Sequence, residues 1–363
     1  MSRSTLRYVA TTFFATRLAM LALAWASSAV MAEGPFPPPI PGRLGFFVRW
    51  DVSWFLSIVR DGYSYTPGHE SNVAFFPLFP ILVRALAPLT GDIVAGLVIA
   101  NAALFGAACI LHMLARRESG SEVIARRAVL FLFAFPATLF HSVGYCESLF
   151  LFLTLATFEA AARQRFFVAG AFALLSAATR SSGVLVTLPL AYEILSPTRV
   201  FPRRITLRKE IAALALPPLG LAAYLAYVAD RFGSVRVVVD VQRAWGRRLK
   251  PPWDAVDSIF HHKPPYALAF GLSLLALVVT FVVLVTRRAR PSFVVFAALH
   301  LAYMTTSGLV EGMPRFVGAV FPIYLVAATE TESRPTTREL LLVGCGVMVG
   351  MFVILFFNGY WLT

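Results

Sequence analysis

Apolar runs of membrane-crossing length recur along this chain from residue 8 to residue 358, parted by short connections that carry arginine. A hydrocarbon layer roughly 30 Å thick takes about 20 apolar residues in helical form, with tilted or broken helices as variants. Lipid offers no partner to backbone N–H and C=O groups, so each run has to satisfy them internally as a helix. The runs lie near 8–31, 92–115, 128–142, 147–162, 166–180, 183–196, 211–229, 267–286, 291–307, 315–329 and 339–358. They predict an all-α polytopic membrane protein with about eleven transmembrane helices. Composition points the same way. A 363-residue chain that is 58% hydrophobic and 14% charged, with mean hydropathy +0.73, cannot bury its apolar side chains in one soluble core.

The net charge of +13 would suggest nucleic acid in a soluble protein. Here the cations gather at Arg116-Arg117 with Arg126-Arg127, at Arg163 and Arg165, from Arg199 through Lys209, and at Arg287, Arg288 and Arg290. All of these fall on one side of the predicted topology, which makes that side the cytoplasm and excludes a nucleic-acid partner. The N-terminus is then cytoplasmic. Arg3, Arg7 and Arg17 before a run ending Ala29-Val30-Met31-Ala32 resemble a signal peptide, but 8–31 is long enough to span and is read as an uncleaved first helix. The opposite face receives the two longest connections, 32–91 and 230–266, neither long enough to form a domain, so residues 1–363 count as one membrane domain. Cys109, Cys146 and Cys345 are too scattered for a disulfide framework or a metal site.

Chemistry is expected on that opposite face. Residues Phe46 to Tyr63 read as an amphipathic interfacial helix, rich in aromatic rings suited to the headgroup layer and able to end at Gly62. Asp51, Trp54, Phe55 and Ile58 share a face at helical spacing, which holds a carboxylate at the membrane surface, a costly place for an idle charge. Arg49 or Arg60 would neutralise Asp51 in a purely structural reading. Asn72 to Pro80, with Pro77 and Pro80, reads as a broken helix meeting the membrane.

Arg49-Trp50-Asp51 with Trp54-Phe55 and Ile58, Asp61-Gly62-Tyr63, and Ala74 through Pro80 together resemble the signature of GPI mannosyltransferase II, the PIG-V type, and its bacterial relatives. Tyr145-Cys146-Glu147-Ser148-Leu149-Phe150 and Thr179-Arg180-Ser181-Ser182-Gly183 resemble two further elements of that family, Ser182 standing where Asn is usual, and Glu311 to Phe316 fits a weaker one. The resemblance implies the GT-C fold, interfacial helices in the first outer connection, and a catalytic acid at Asp51. It also implies mannose transfer from a polyprenyl or dolichyl phosphate donor to a lipid or glycan acceptor. Trp54, where eukaryotic members often carry His, places the chain nearer the bacterial branch. The location implied is the bacterial inner membrane with an extracytoplasmic active site, or the endoplasmic reticulum lumen for a eukaryotic member.

A phosphate diester leaves without a proton, so one base for the acceptor hydroxyl suffices; inversion follows from attack opposite the phosphate. Cations must receive the released phosphate. Arg231, Arg236, Arg243, Arg247, Arg248, Lys250 and Lys263 in the second outer stretch are candidates, with Arg243 and Trp245 preferred for phosphate and sugar, and anionic membrane lipids as the other reading. Arg180 and Arg315 are further phosphate candidates, though Glu147 and Arg180 could instead pair with each other. Arg49, Trp50, Trp54, Asp61, Tyr63, Phe76 and Glu147 are the expected acceptor-binding or site-shaping residues. His141 and His300 have no second ligand at metal spacing, and no Asp-x-Asp motif is present, so no metal and no cofactor are expected. A transporter would suit the helix count, yet it predicts paired halves and polar groups at the midplane. A non-catalytic subunit would be expected to lack Asp51.

Overall fold

The structure, a computed structural model, describes residues 2–195 and 209–361, so all but the last residue of the Arg199 through Lys209 connection lies outside the described residues. Every regular element among those described is helical. In chain order they are α1 (Arg3–Val30), α2 (Asp51–Asp61), α3 (Leu78–Thr90), α4 (Asp92–Ser119), α5 (Glu122–Ala134), α6 (Glu147–Ala162), α7 (Phe166–Ala177) and α8 (Thr187–Leu195). There follow α9 (Leu216–Phe232), α10 (Arg236–Ala244), α11 (Pro252–Phe260), α12 (Pro264–Thr286), α13 (Pro291–Thr306), α14 (Met313–Gly318), α15 (Pro322–Glu330) and α16 (Pro335–Phe357). The protein is an integral, multi-pass membrane protein.

Fewer long helices form than the apolar runs suggest. Among the described residues five helical stretches are long and apolar enough to cross a membrane: α1, α4, Lys209–Phe232, α12 and α16. The other runs become shorter or broken helices, and proline marks the breaks. Pro136 follows the end of α5 and opens a 3-10 turn over Pro136–Leu139, and Pro314 and Pro322 sit in the first turns of α14 and α15. Breaks at membrane depth are tolerated where protein covers the freed backbone groups. Arg17, 7% exposed in the middle of α1, supplies that cover. Its guanidinium donates to Thr138 Oγ1 at 2.8 Å, to the Phe133 carbonyl at 3.4 Å and to the Ser142 hydroxyl, and lies 5.9 and 5.6 Å from the Phe13 and Phe133 rings.

The centre of the bundle is α6, where every residue but Phe152 and Ala162 is buried, as a helix apolar all round requires. Between α7 and α9 the backbones approach so closely that a Cβ on Gly220 would stand 2.3 Å from the Leu174 carbonyl oxygen. One end of the bundle is stapled by ion pairs: Arg290 with Glu193 and Glu118, Arg117 and Arg163 with Glu159, and Arg287 with Glu330. The other end carries α2, α10 and α11, and a cavity opens there.

Candidate active site

Helix α2 starts at Asp51 and ends where Gly62, at φ +82°, stops it. Its apolar side chains Val52, Phe55, Leu56, Ile58 and Val59 are buried, and Phe55 packs edge-on to Phe79. The face expected to be shared by Asp51, Trp54, Phe55 and Ile58 therefore divides: the first two border the cavity, the last two join the core. The residue before the helix, Trp50, has φ +44° and ψ −115°, a backbone conformation rare for any residue but glycine. Its ring lies 5.1 Å from that of Phe356 on α16.

The cavity has a volume of about 450 Å³. Asp51, Arg315 and Arg247 form one part of its lining, and Trp54, Phe75 and Trp245 form an aromatic wall with ring centroids 5.5 to 6.2 Å apart. Glu70, Gln242 and Glu311 add polar groups, and Phe36, Trp50 and Trp361 close a further side. The aromatic wall is held from behind. Asn72 accepts from the Ser64 N–H at 2.8 Å and donates to Ser57 Oγ and the Gly62 carbonyl, while the Trp245 indole donates to the Ser71 carbonyl at 3.4 Å.

Charges converge on the inner part of the site from five separate stretches of chain. Arg315 on α14 donates to Asp51 Oδ2, and its Nε lies 3.7 Å from Glu147 Oε1. Arg180, just beyond α7, donates to the same Glu147 oxygen at 2.6 Å. Among the described residues Asp51 Oδ1 takes no hydrogen bond. Arg247, in the connection after α10, donates to the Tyr303 hydroxyl at 3.3 Å and has no carboxylate within ion-pair distance among the described residues. Burial lowers the Arg247 pKa from its ordinary value, with Tyr303 opposing. The three guanidiniums surround one ring, Phe316, at 4.4 Å for Arg180, 5.3 Å for Arg247 and 5.4 Å for Arg315. Gly312 permits this arrangement, since a Cβ there would meet the Phe316 ring at 2.9 Å. Of the three guanidiniums, Arg180 and Arg315 meet carboxylates and Arg247 does not, which leaves Arg247 able to meet a phosphate anion.

Several expected site residues lie elsewhere. Arg243 points away, 67% exposed and 3.7 Å from Asp240, because it lies on the side of α10 away from the buried Val237 and Val241; Arg247, four residues on, enters the cavity instead. Arg49 is buried beneath the site, donating to the Phe36 and Phe357 carbonyls with Glu33 at 3.8 Å, and Arg60 pairs with Asp92, so neither neutralises Asp51. Asp61 is exposed at the end of α2. Tyr63 donates to the Phe75 carbonyl and, with the buried Phe76, packs on Tyr224, so both support the wall without lining it. Glu147 and Arg180 pair with each other one layer behind the cavity. Glu70, Gln242, Phe36 and Trp361 escaped sequence reasoning; Glu311 was noted only within a weak motif.

Solved structures share this architecture. ArnT from Cupriavidus metallidurans, bound to undecaprenyl phosphate, superposes with a TM-score of 0.53 at 12% identity over 96% of this chain and 76% of its own. The apo oligosaccharyltransferase of Archaeoglobus fulgidus gives 0.52 at 11% identity over 98% of this chain and 56% of its own. The fold is thus that of the GT-C membrane glycosyltransferases. Residues 40–216 match the family described as mannosyltransferase (PIG-V), a stretch of a little under half of the chain. GPI alpha-1,6-mannosyltransferase 2 of Mus musculus is 34% identical over 157 residues, 40% of this chain and 31% of that protein. The Rattus norvegicus protein of the same name is 30% identical over 247 residues, 59% of this chain and 49% of its own length. The chain spans between about a third and a half of the curated relatives it matches.

Proposed function

We propose that this protein is an inverting mannosyltransferase that moves mannose from a polyprenyl phosphate donor to a lipid or glycan acceptor. The observation that carries the reading is the meeting of Asp51 with Arg315 and Arg247 in one aromatic-walled cavity. Asp51 Oδ1 is the base for the acceptor hydroxyl. Arg315 orients the carboxylate through Oδ2, and Arg247, the cation without an acidic partner, receives the donor phosphate. As the hydroxyl oxygen attacks the anomeric carbon, its bond to the phosphate oxygen breaks and that electron pair leaves on the phosphate. The hydroxyl proton passes to Asp51. Trp54, Phe75 and Trp245 offer flat apolar faces to a sugar ring, and Glu70, Gln242 and Glu311 can accept from its hydroxyls. Guanidiniums replace a metal in neutralising phosphate, which makes the reaction independent of metal and of any cofactor.

The positive-inside pattern supports a cytoplasmic N-terminus and a cavity facing the extracytoplasmic side, of the bacterial inner membrane or, in a eukaryote, the endoplasmic reticulum lumen. Transfer from radiolabelled polyprenyl phosphate mannose to a membrane-extract acceptor pool tests the proposal. Asp51→Asn is expected to lower turnover per folded molecule on the order of 10²- to 10⁴-fold. Arg247→Gln is expected to raise the donor KM. Undiminished transfer by Asp51→Asn would move the base elsewhere. No transfer by the wild type from any polyprenyl phosphate sugar would favour a transporter or an accessory subunit.

A further inference from the structure

A second cavity, of about 420 Å³, lies at the end of the bundle away from Asp51. Its lining includes Thr5 on α1, His112, Arg116 and Arg117 on α4, Glu159 on α6 and Arg163 just after α6. Arg117 and Arg163 both reach Glu159, at 2.8 and 2.7 Å, so one carboxylate is shared by two guanidiniums. Behind them Glu122 takes Arg126 at 3.1 Å, His112 at 3.2 Å, the Thr5 hydroxyl at 3.1 Å and Arg116 at 3.5 Å. Four guanidiniums thus face two carboxylates. The cluster has a firm floor, because Glu159 is 8% and His112 2% exposed, while Arg116, Arg117 and Arg163 remain 60%, 36% and 45% exposed toward the opening. Three buried polar atoms of the cluster, His112 Nδ1, Glu122 Oε2 and Glu159 Oε2, have no hydrogen-bond partner. General orientation by positive charge requires cations near the surface; it does not require a walled cavity with an excess of them.

We infer that this cavity is a second binding site, for a phosphate-bearing anion, in which the Arg116, Arg117 and Arg163 guanidiniums grip the phosphate oxygens. A phosphodiester lipid headgroup and free phosphate share that chemistry. The site is separate from the transfer cavity and would stand if the proposed reaction failed.

The test is thermal unfolding of the full chain in nanodiscs of phosphatidylcholine alone, the same with inorganic phosphate, and phosphatidylcholine mixed with phosphatidylglycerol. Phosphatidylglycerol is expected to raise the wild-type midpoint by roughly 2–4 °C and to raise that of Arg116→Gln/Arg163→Gln by less than half as much. A rise with inorganic phosphate would identify the soluble ion as an occupant and support the site equally. A control, Arg3→Gln/Arg334→Gln, removes two exposed cations outside the cavity and should keep the full shift. If control and cavity variants lose the shift alike, or if neither ligand shifts the wild type, the site is overturned. Should the double variant fail to fold, Arg163→Lys, which keeps the charge without the fork, is expected to show a reduced shift, and an undiminished shift there would count against the cavity.

Discussion

At the scale of single residues the backbone of Trp50 sets where Asp51 stands. A left-handed conformation in a bulky residue persists only when its surroundings over-determine it, here through the ring contact with Phe356 and the start of α2. Comparing Trp50→Ala with Trp50→Gly separates backbone from ring, since both lose the indole and only alanine keeps a Cβ. The glycine variant is expected to be the more stable of the two by about 1–3 kcal/mol, read from thermal or denaturant unfolding. The Glu147 and Arg180 pair behaves differently because both partners are buried. Glu147→Gln or Arg180→Gln alone is expected to cost roughly 3–5 kcal/mol, and the double variant less than the sum, in a double-mutant cycle followed by unfolding. Sequence spacing made that pair visible, since both residues stand at span ends on one side. The convergence of Arg180, Arg247 and Arg315 on Phe316 was not visible, because it depends on how helices distant in the chain rotate about their own axes.

Among the elements, proline and glycine decided most of what composition left open. Hydropathy located each apolar run, yet could not say whether a run forms one long helix or a short helix joined to a 3-10 turn. Pro136 and the 3-10 turn it begins show why: the break is stabilised by Arg17, a residue on another helix, so its tolerance is a tertiary property. The connection after α10 gives the complementary lesson. Arg243 and Arg247 look equivalent in sequence, and only the end of α10 at Ala244 with the turn at Gly246, φ +78°, sends the second inward. The contact of α7 with α9 yields a prediction at this scale. Gly220→Ala is expected to lower stability by about 1–3 kcal/mol through overpacking, with transfer by the remaining folded protein unchanged, as measured by unfolding midpoint and by turnover per folded molecule.

For the molecule as a whole, neutralisation by guanidiniums makes a chelation experiment informative. EDTA is expected to leave both transfer and unfolding midpoint unaltered; loss of transfer that added divalent metal restores would replace the arginine account with a metal one. The proposed reaction also depends on parts of the chain that are made far apart in time. The Gly34 N–H donates to the Asn358 carbonyl at 2.7 Å, the Phe36 N–H to the Gly359 carbonyl at 3.1 Å, and the Tyr266 hydroxyl to the Trp361 carbonyl at 2.7 Å. Phe36 and Trp361 thereby share a cavity wall with Asp51. A ribosome inserting this chain releases the base early and that wall only after α16 has entered the bilayer, so a nascent chain holds half a cavity open to lipid and water. The cavity proposed for sugar transfer is therefore complete only when α16 has packed beside the Gly34–Phe36 segment.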